Sequence, residues 1–176
     1  MRFVLVLMGF ILAALAPAGA AHTPTHVAAA PRADQPRPLG HFEDWTAATH
    51  LEGGHTVCYA FTRVRNSSLK IPGRGEVVLT VTERPTGRDM VAISAGYPYG
   101  AGAVVRVQIE RAAFEFYTAQ RSAFARDGHA VVAAMRHRRD LVAHGPAPHA
   151  GQVGDSFSLR GFDLAYAAIV KACPAK

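Results

Sequence analysis

The sequence predicts a mainly β, antiparallel sandwich or barrel that is interrupted by one short helix and followed by a C-terminal helix. Apolar and polar residues alternate with a period of two in many short segments, as expected of half-buried strands. Turn residues separate these segments at spacings of roughly ten residues, which is typical of sandwiches and barrels. Strands and helices do not alternate, so a parallel nucleotide-binding sheet is not predicted.

The composition is that of a folded domain. The chain has 176 residues, of which 49% are hydrophobic and 18% charged, and its formal net charge is +6. Disordered chains are poor in apolar residues and rich in charge, so disorder is excluded. The length suits one domain, and the two cysteines are too few for a disulfide-dense miniprotein.

The first segment has the features of an export signal. Arg2 precedes an unbroken apolar run over residues 3–15, and small residues follow at Ala18 and Ala20. This pattern predicts a Sec-type signal peptide over residues 1–20. The apolar run is shorter than the ~20 residues needed to cross a bilayer, so no stable membrane span is expected after cleavage. We expect the protein in the periplasm, associated with the outer membrane, or secreted.

Residues 21–40 are rich in Pro and Ala and show neither strand nor helix periodicity. They predict a flexible linker. The folded domain is then expected over residues 41–174.

Strands are predicted on both sides of the inserted helix. Two early strands, His41–Ala48 and His55–Arg63, are joined through the turn residues 53–54. The alternating residues of the middle strands lie within 76–82, 91–97, 103–110 and 114–117. Two later strands are expected at Arg139–His144 and Val153–Leu159.

Two helices are predicted after residue 120. The first runs over about 127–137, with Asp127 as its N-cap and with inward-facing Val131, Val132 and Met135. The second runs over about 163–172. The helical spacing of residues 162, 166, 169 and 173 places Cys173 on its apolar face.

The two cysteines predict one structural disulfide. Export would place Cys58 and Cys173 in an oxidising compartment, where disulfides form and persist. Two buried free thiols or a redox site are the alternatives, but no Cys-x-x-Cys motif supports a redox site. The only tryptophan, Trp45, is expected to fill the core beside the disulfide, with an exposed binding anchor as its alternative role.

A series of short motifs has a recognisable order and spacing. They are FEDWT at 42–46, VCYA at 57–60, GRG at 73–75, LTVTERP at 79–85, AGYP at 95–98, AAMR at 133–136, LVAHG at 141–145, DSFSLRGF at 155–162 and ACP at 172–174. This series resembles the invasion-associated locus B family of secreted bacterial envelope proteins over about residues 41–174.

The resemblance implies an immunoglobulin-like antiparallel β-sandwich, export beyond the inner membrane of Gram-negative bacteria, and no established enzymatic activity. The family name comes from a role of some members in host-cell invasion. Two departures stand out. Thr49 and His50 lie where many members have a further cysteine, and the loop 145–151 differs from the usual family sequence.

Two surface features are candidate contact sites. Arg136, His137, Arg138 and Arg139 form the densest basic run and predict an anion or surface patch. The structural alternative is a set of cations at a helix C-terminus. Tyr97 and Tyr99 lie at a strand end and turn, where they could form an exposed aromatic contact. A packed turn is the alternative.

The sequence therefore predicts a non-catalytic protein that acts through protein or surface contacts. We expect no catalytic residues, metal or cofactor. The expected partner is a protein or an envelope or host surface component, with weak anionic-surface binding and no nucleic acid. The alternatives are a periplasmic ligand-binding or chaperone-like module that uses a sheet edge, and an enzyme, which would need a pocket with convergent polar groups.

Overall fold

The computed structural model describes residues 35–149 and 151–175, which form eleven strands and two helices. The predicted signal peptide 1–20 and residues 21–34 of the predicted linker lie outside this part of the chain. The elements are β1 (Arg37–Phe42), β2 (Trp45–Glu52), β3 (His55–Arg63), β4 (Asn66–Ser67), β5 (Val78–Arg84), β6 (Gly87–Ser94), β7 (Val104–Ile109), β8 (Ala112–Ala119), β9 (Ser122–Ala125), α1 (Gly128–Met135), β10 (Asp140–Pro146), β11 (Gln152–Ser158) and α2 (Phe162–Ala172).

The strands form one antiparallel sheet that encloses a shared core. Their order across the sheet is β1-β2-β3-β5-β6-β9-β8-β7-β10-β11-β4. Strand β4 follows β3 in the chain but pairs with β11, and the Arg65 amide donates to the Ser156 carbonyl at 2.8 Å. The far end of the sheet therefore returns to the end of β3. Leu79, Val107 and Phe157, from both halves of the sheet, join one hydrophobic cluster.

The predicted fold class is confirmed. The protein is mainly β and antiparallel, with a short helix between β9 and β10 and a helix at the C-terminal end. The short pairing of β6 with β9 joins two halves of the sheet, β1-β2-β3-β5-β6 and β9-β8-β7-β10-β11-β4. They belong to one hydrogen-bonded sheet, whereas an immunoglobulin domain has two separate sheets.

Alternation decides which side chains enter the core, and β7 shows it clearly. Val105, Val107 and Ile109 are buried, whereas the residues between them are exposed. The same alternation in the neighbouring strands gives the sheet one core-facing side and one solvent-facing side. A polar residue at an inward position, or an apolar residue at an outward one, is therefore an exception that calls for an explanation.

Both helices pack on the core as the sequence predicts. The Asp127 side chain accepts a hydrogen bond from the Ala130 amide at 2.9 Å, which confirms the N-cap of α1. The inward residues of α1 are also confirmed as buried, although the helix ends at Met135 rather than at 137. In α2, the Phe162 ring lies 4.9 Å from the fully buried Trp45 ring. The expected core position of Trp45 is thus confirmed.

The N-terminal boundary differs from the sequence prediction in two ways. Residues 37–40, expected in the linker, belong to the edge strand β1. The single strand expected at 41–48 is two strands, with Glu43 at a turn and in the left-handed region at φ 50°. Pro38 masked β1 in the sequence, but an edge strand tolerates proline because one side of its backbone has no strand partner.

The predicted disulfide is confirmed. Cys58 of β3 is bonded to Cys173, which directly follows α2, and their Cα atoms are 6.0 Å apart. The bridge closes a loop with a sequence separation of 115 residues. In the chain-entropy model, a loop of this length stabilises the folded state by roughly 4–5 kcal/mol. The bridge fixes the end of α2 to the sheet.

Candidate functional site

The predicted basic run lies on the surface directly after α1, but most of its cations face carboxylates. Arg136 Nε lies 3.2 Å from an Asp163 oxygen. His137 Nδ1 lies 3.3 Å from the other Asp163 oxygen, which also accepts from the His137 amide at 3.0 Å. Arg138 pairs with Glu110 at 3.4 Å. Arg139 has no carboxylate partner among the described residues. Three of the four side chains are thus already engaged, which weakens the prediction of an anion patch.

The predicted aromatic contact is wrong for Tyr97, which is only 5% exposed. Its hydroxyl donates to the Pro146 carbonyl at 3.0 Å, and the Arg74 guanidinium lies over its ring. Tyr99 is half-buried, with its ring centre 5.5 Å from that of Tyr97. Burial raises the pKa of both tyrosines. The turn is packed against β10 because both rings fold inward, as in the structural alternative.

A buried ion pair lies beside this turn. Arg74 donates from both terminal nitrogens to Asp155, at 2.9 and 2.6 Å, and its Nε donates to the Ala95 carbonyl. The Ser67 hydroxyl donates to the same carboxylate at 2.7 Å. The opposite charges of Arg74 and Asp155 cancel, and both carboxylate oxygens accept hydrogen bonds. The pair joins β4 and β11 to the 73–75 turn. We interpret it as structural.

A second ionic cluster, which we call the carboxylate network, lies beneath α2. It consists of Glu83, Arg88, Asp89, His129 and Tyr166. Asp89 accepts hydrogen bonds from the Tyr166 hydroxyl at 2.6 Å and from His129 Nδ1 at 2.8 Å. The Asp89 amide donates to Glu83 at 3.2 Å, and Arg88 Nε lies 2.6 Å from the other Glu83 oxygen. The network therefore connects β5, β6 and both helices.

The two carboxyl groups of the network differ in charge. Burial, followed by a hydrogen bond with Asp89, raises the pKa of Glu83 to about 7 against the opposing charge of Arg88. Burial also acts to raise the pKa of Asp89, but hydrogen bonds from Tyr166, His129 and Glu83 outweigh it and lower that pKa. The bond to Asp89 raises the pKa of His129. Between about pH 4 and pH 7, Glu83 therefore holds a proton while Asp89 is ionised.

Local backbone geometry builds this network. Gly128, the first residue of α1, packs against the Asp89 carbonyl, and a Cβ at that position would lie 1.7 Å from the carbonyl oxygen. Only glycine permits this close approach. It brings His129 within reach of Asp89.

Glu83 Oε2 has no hydrogen-bond partner among the described residues, because the nearby Arg88 N–H does not point at it.

The sequence carried a signal for part of this network. Glu83 continues the inward phase of Leu79 and Val81, and Asp89 continues that of Val91 and Ile93. A carboxylate at an inward strand position is rarely buried without a partner. The helical partners could not be assigned from the sequence, because they depend on how the helices pack.

The most distinctive exposed feature is an apolar cluster that we call the outer patch. It consists of Met90, Ala92, Val104, Tyr117 and Phe124, on the solvent side of β6 to β9. Val104 pairs with Tyr117, Tyr117 with Phe124 and Phe124 with Ala92, so these four side chains form a row across four strands. The Tyr117 and Phe124 rings stack with their centres 5.5 Å apart.

The outer patch is open to solvent. Three of its members are large apolar residues with high exposure: 42% for Met90, 46% for Val104 and 43% for Tyr117. Single exposed apolar residues are common on proteins, but contiguous exposed apolar side chains often mark a contact site. Apolar residues at outward positions of β7 and β8 were the available sequence signal. Their assembly with β9 and β6 depends on the strand order.

Cavities and sheet edges give weaker candidates. A cavity of about 270 Å³ lies beside Cys173 and contains Arg84 and Arg88, but Glu52 and Glu83 already pair with these arginines. The edge strand β1 contains Pro38 and a bulge, and β4 has two residues. Such features hinder the addition of a further strand, so they do not favour a chaperone-like edge.

The described part of the chain contains neither a metal-ligand cluster nor a membrane-spanning helix. Across residues 35–149 and 151–175, no group of three or more His, Cys, Asp or Glu side chains is arranged to hold a metal ion. Neither α1 nor α2 combines the length and apolar character that a bilayer-crossing helix needs.

Comparisons with known proteins agree with the fold. Residues 45–170 match the family model described as invasion associated locus B (IalB) protein. The crystal structure of invasion associated protein B from Bartonella henselae is similar, with a TM-score of 0.57 and 17% sequence identity. The match covers 76% of this chain and 95% of that one. At this identity the likeness concerns the fold alone. No curated protein sequence matches the chain.

Proposed function

This chain belongs to the invasion-associated locus B family, whose model spans residues 45–170, and we propose that it is an exported, non-catalytic protein acting through surface contacts. The outer patch is the proposed contact surface. The observation that carries the proposal is the outward row of Val104, Tyr117 and Phe124, of which the first two are highly exposed. The pairing of β7, β8 and β9 holds this row in register. A rigid sheet presents such side chains without the ordering cost of a loop.

Two observations support export. The first 20 residues have the pattern of a Sec-type signal peptide. The Cys58–Cys173 bridge is consistent with an oxidising compartment. We therefore place the protein in the periplasm of a Gram-negative bacterium, at the outer membrane, or outside the cell.

The proposed partner is another protein or a component of the envelope or of a host cell surface. The Bartonella henselae protein is named for its association with invasion. This name supports host-cell interaction as one setting for the contact. The proposed role uses no cofactor and no nucleic acid.

A protease experiment tests the compartment. Intact cells of the native host and cells with a permeabilised outer membrane would be treated with protease, and the protein followed by immunoblot. Digestion in intact cells would indicate surface exposure, and digestion only after permeabilisation would indicate a periplasmic position. Protection in both preparations, with digestion only after lysis, would contradict export.

A sedimentation experiment tests the contact surface. Purified mature protein should sediment with envelopes isolated from the native bacterium. The double variant Tyr117→Thr, Phe124→Thr should stay in the supernatant, because threonine keeps strand propensity but removes both rings. Leu164→Gln is the matched control, since Leu164 is 61% exposed but lies on α2. Equal retention of wild type and the double variant would contradict the assignment of the outer patch.

A further inference from the structure

The surroundings of the outer patch are cationic. The Arg126 guanidinium lies over the Tyr117 ring at 5.6 Å, and Arg84 Nη1 lies 3.6 Å from Met90 Sδ. Arg106 is two residues from Val104 on the same side of β7. Guanidinium groups therefore border the apolar side chains at Met90, Val104 and Tyr117.

Negative charge is scarce on the same face. Among the outward residues that alternate with the buried ones on β6 to β9, Glu115 is the single carboxylate. It lies 3.5 Å from Arg106, at the limit of an ion pair. Arg84 also pairs with Glu52 of β2, at 3.0 Å. Arg126 pairs with no carboxylate in the described part of the chain. Positive charge thus predominates around the apolar centre.

This combination matches one kind of partner. Tyrosine, arginine and apolar side chains together suit the boundary between lipid headgroups and acyl chains, where rings enter the apolar layer and cations meet phosphates. Anionic headgroups attract basic residues near the surface. A purely apolar protein partner would leave the guanidinium groups without counter-charges.

We propose that the outer patch docks on the surface of an anionic lipid bilayer. This inference rests on the proposed contact function and names its partner. Phe124 and Met90 would enter the acyl boundary, the Tyr117 hydroxyl would lie at headgroup level, and Arg106 and Arg126 would bind lipid phosphates. The protein lies on the bilayer without crossing it, and the domain fold is unchanged.

Vesicle flotation tests this proposal with the mature protein. Vesicles of phosphatidylcholine alone are compared with vesicles that also contain phosphatidylglycerol, at low and high salt. We expect binding to the anionic vesicles only, and weaker binding at high salt because the headgroup charges are screened. The double variant Tyr117→Thr, Phe124→Thr should bind at least about tenfold more weakly. Arg126→Gln should bind on the order of fivefold more weakly.

Two control variants make the result specific. Leu164→Gln removes an exposed apolar side chain elsewhere, and Arg138→Gln with Arg139→Gln removes charge from the basic run after α1. Both should bind anionic vesicles like the wild type. A loss of binding in the basic-run variant with no loss in the patch variants would overturn the proposal and return the contact to that run.

The remaining outcomes separate this proposal from the proposed function. Equal binding to neutral and anionic vesicles, or none to either, overturns the lipid proposal. If envelope retention still depends on Tyr117 and Phe124, the proposed function stands and the partner is a protein or an acidic glycan. If retention is also insensitive to both residues, the two proposals fall together.

Discussion

The outer patch consists of apolar side chains and the carboxylate network of ionic and polar ones, and the two lie on opposite sides of the sheet. The patch is apolar, exposed and formed by side chains that contact one another across strands. The network is ionic and its two carboxyl groups are buried. It lies close to the disulfide, since Glu83 pairs with Cys58 in the register of β5 and β3. Surface contact and stability are therefore carried by separate residues. Substitutions should change one without the other.

The largest effect on stability is expected from removing the disulfide. Cys58→Ser or Cys173→Ser should each lower the free energy of unfolding by about 2–5 kcal/mol, because the unfolded chain is no longer constrained. The double variant should lose little more than either single variant. Urea unfolding followed by tryptophan fluorescence measures this, since Trp45 is in the core. Additive losses would contradict a single-bridge account.

The next effect concerns Glu83 and depends on pH. Its pKa is raised from 4.5 to about 7, so its stabilising contribution is fully present below about pH 4.5 and is lost as the pH rises through 7. Glu83→Gln mimics the protonated form. At pH 8 its free energy of unfolding should exceed that of the wild type by on the order of 2–3 kcal/mol, and at pH 4.5 the two should be equal.

Denaturant titrations at several pH values check the Glu83 prediction. His129 has a raised pKa and is also expected to lose stabilisation as the pH rises, so Glu83→Gln should leave a small residual slope. Asp155→Asn is a useful contrast, because the balanced pair with Arg74 should be disrupted at pH 5 and at pH 8 alike. An unchanged pH profile in Glu83→Gln would show that another group controls it.

A smaller effect is expected for Tyr166. Tyr166→Phe removes the hydroxyl that donates to Asp89 at 2.6 Å and should destabilise the protein by about 1–2 kcal/mol at pH 7. Hydrogen bonds lower the pKa of Asp89, so this stabilisation is present above about pH 4 and is lost as the pH falls. The difference in melting temperature between the wild type and Tyr166→Phe should therefore be smaller at pH 3 than at pH 7. A constant difference would point to lost packing instead.

The smallest effect on stability is expected in the outer patch. Tyr117→Thr with Phe124→Thr removes one stacked cross-strand pair, which contributes about 0.2–1 kcal/mol. The melting temperature should fall only slightly, while the contact activity is lost. A fall as large as that of the disulfide variants would mean that the two rings support the core. Contact and stability would then depend on the same residues.

Alternation, capping and cysteine usage were enough to predict much of the fold. His55–Arg63 was predicted with the bounds that the structure shows, and Asp127 caps α1 as expected. Such features depend on neighbours in the chain, so a sequence displays them directly. Residues 37–40 of β1 were missed because Pro38 continues the proline-rich pattern of the linker, although an edge position accommodates it.

The candidate site was less accessible to prediction. The basic run is dense in the sequence, but folding brings Asp163 and Glu110 against it. The members of the outer patch are far apart in the sequence, and Phe124 meets Tyr117 only through the pairing of β8 with β9. The candidate contact surface therefore follows from the register between strands, whereas the density of charged residues along the sequence did not predict it.

The most direct test compares the patch and the disulfide variants in one binding experiment. Three proteins would be incubated with envelopes of the native bacterium at a temperature where all three are folded. They are the wild type, the patch variant Tyr117→Thr with Phe124→Thr, and the disulfide variant Cys58→Ser with Cys173→Ser. We expect the patch variant to keep its stability and lose retention, and the disulfide variant to lose stability and keep retention. Retention of the patch variant at the wild-type level would show that the outer patch does not carry the contact.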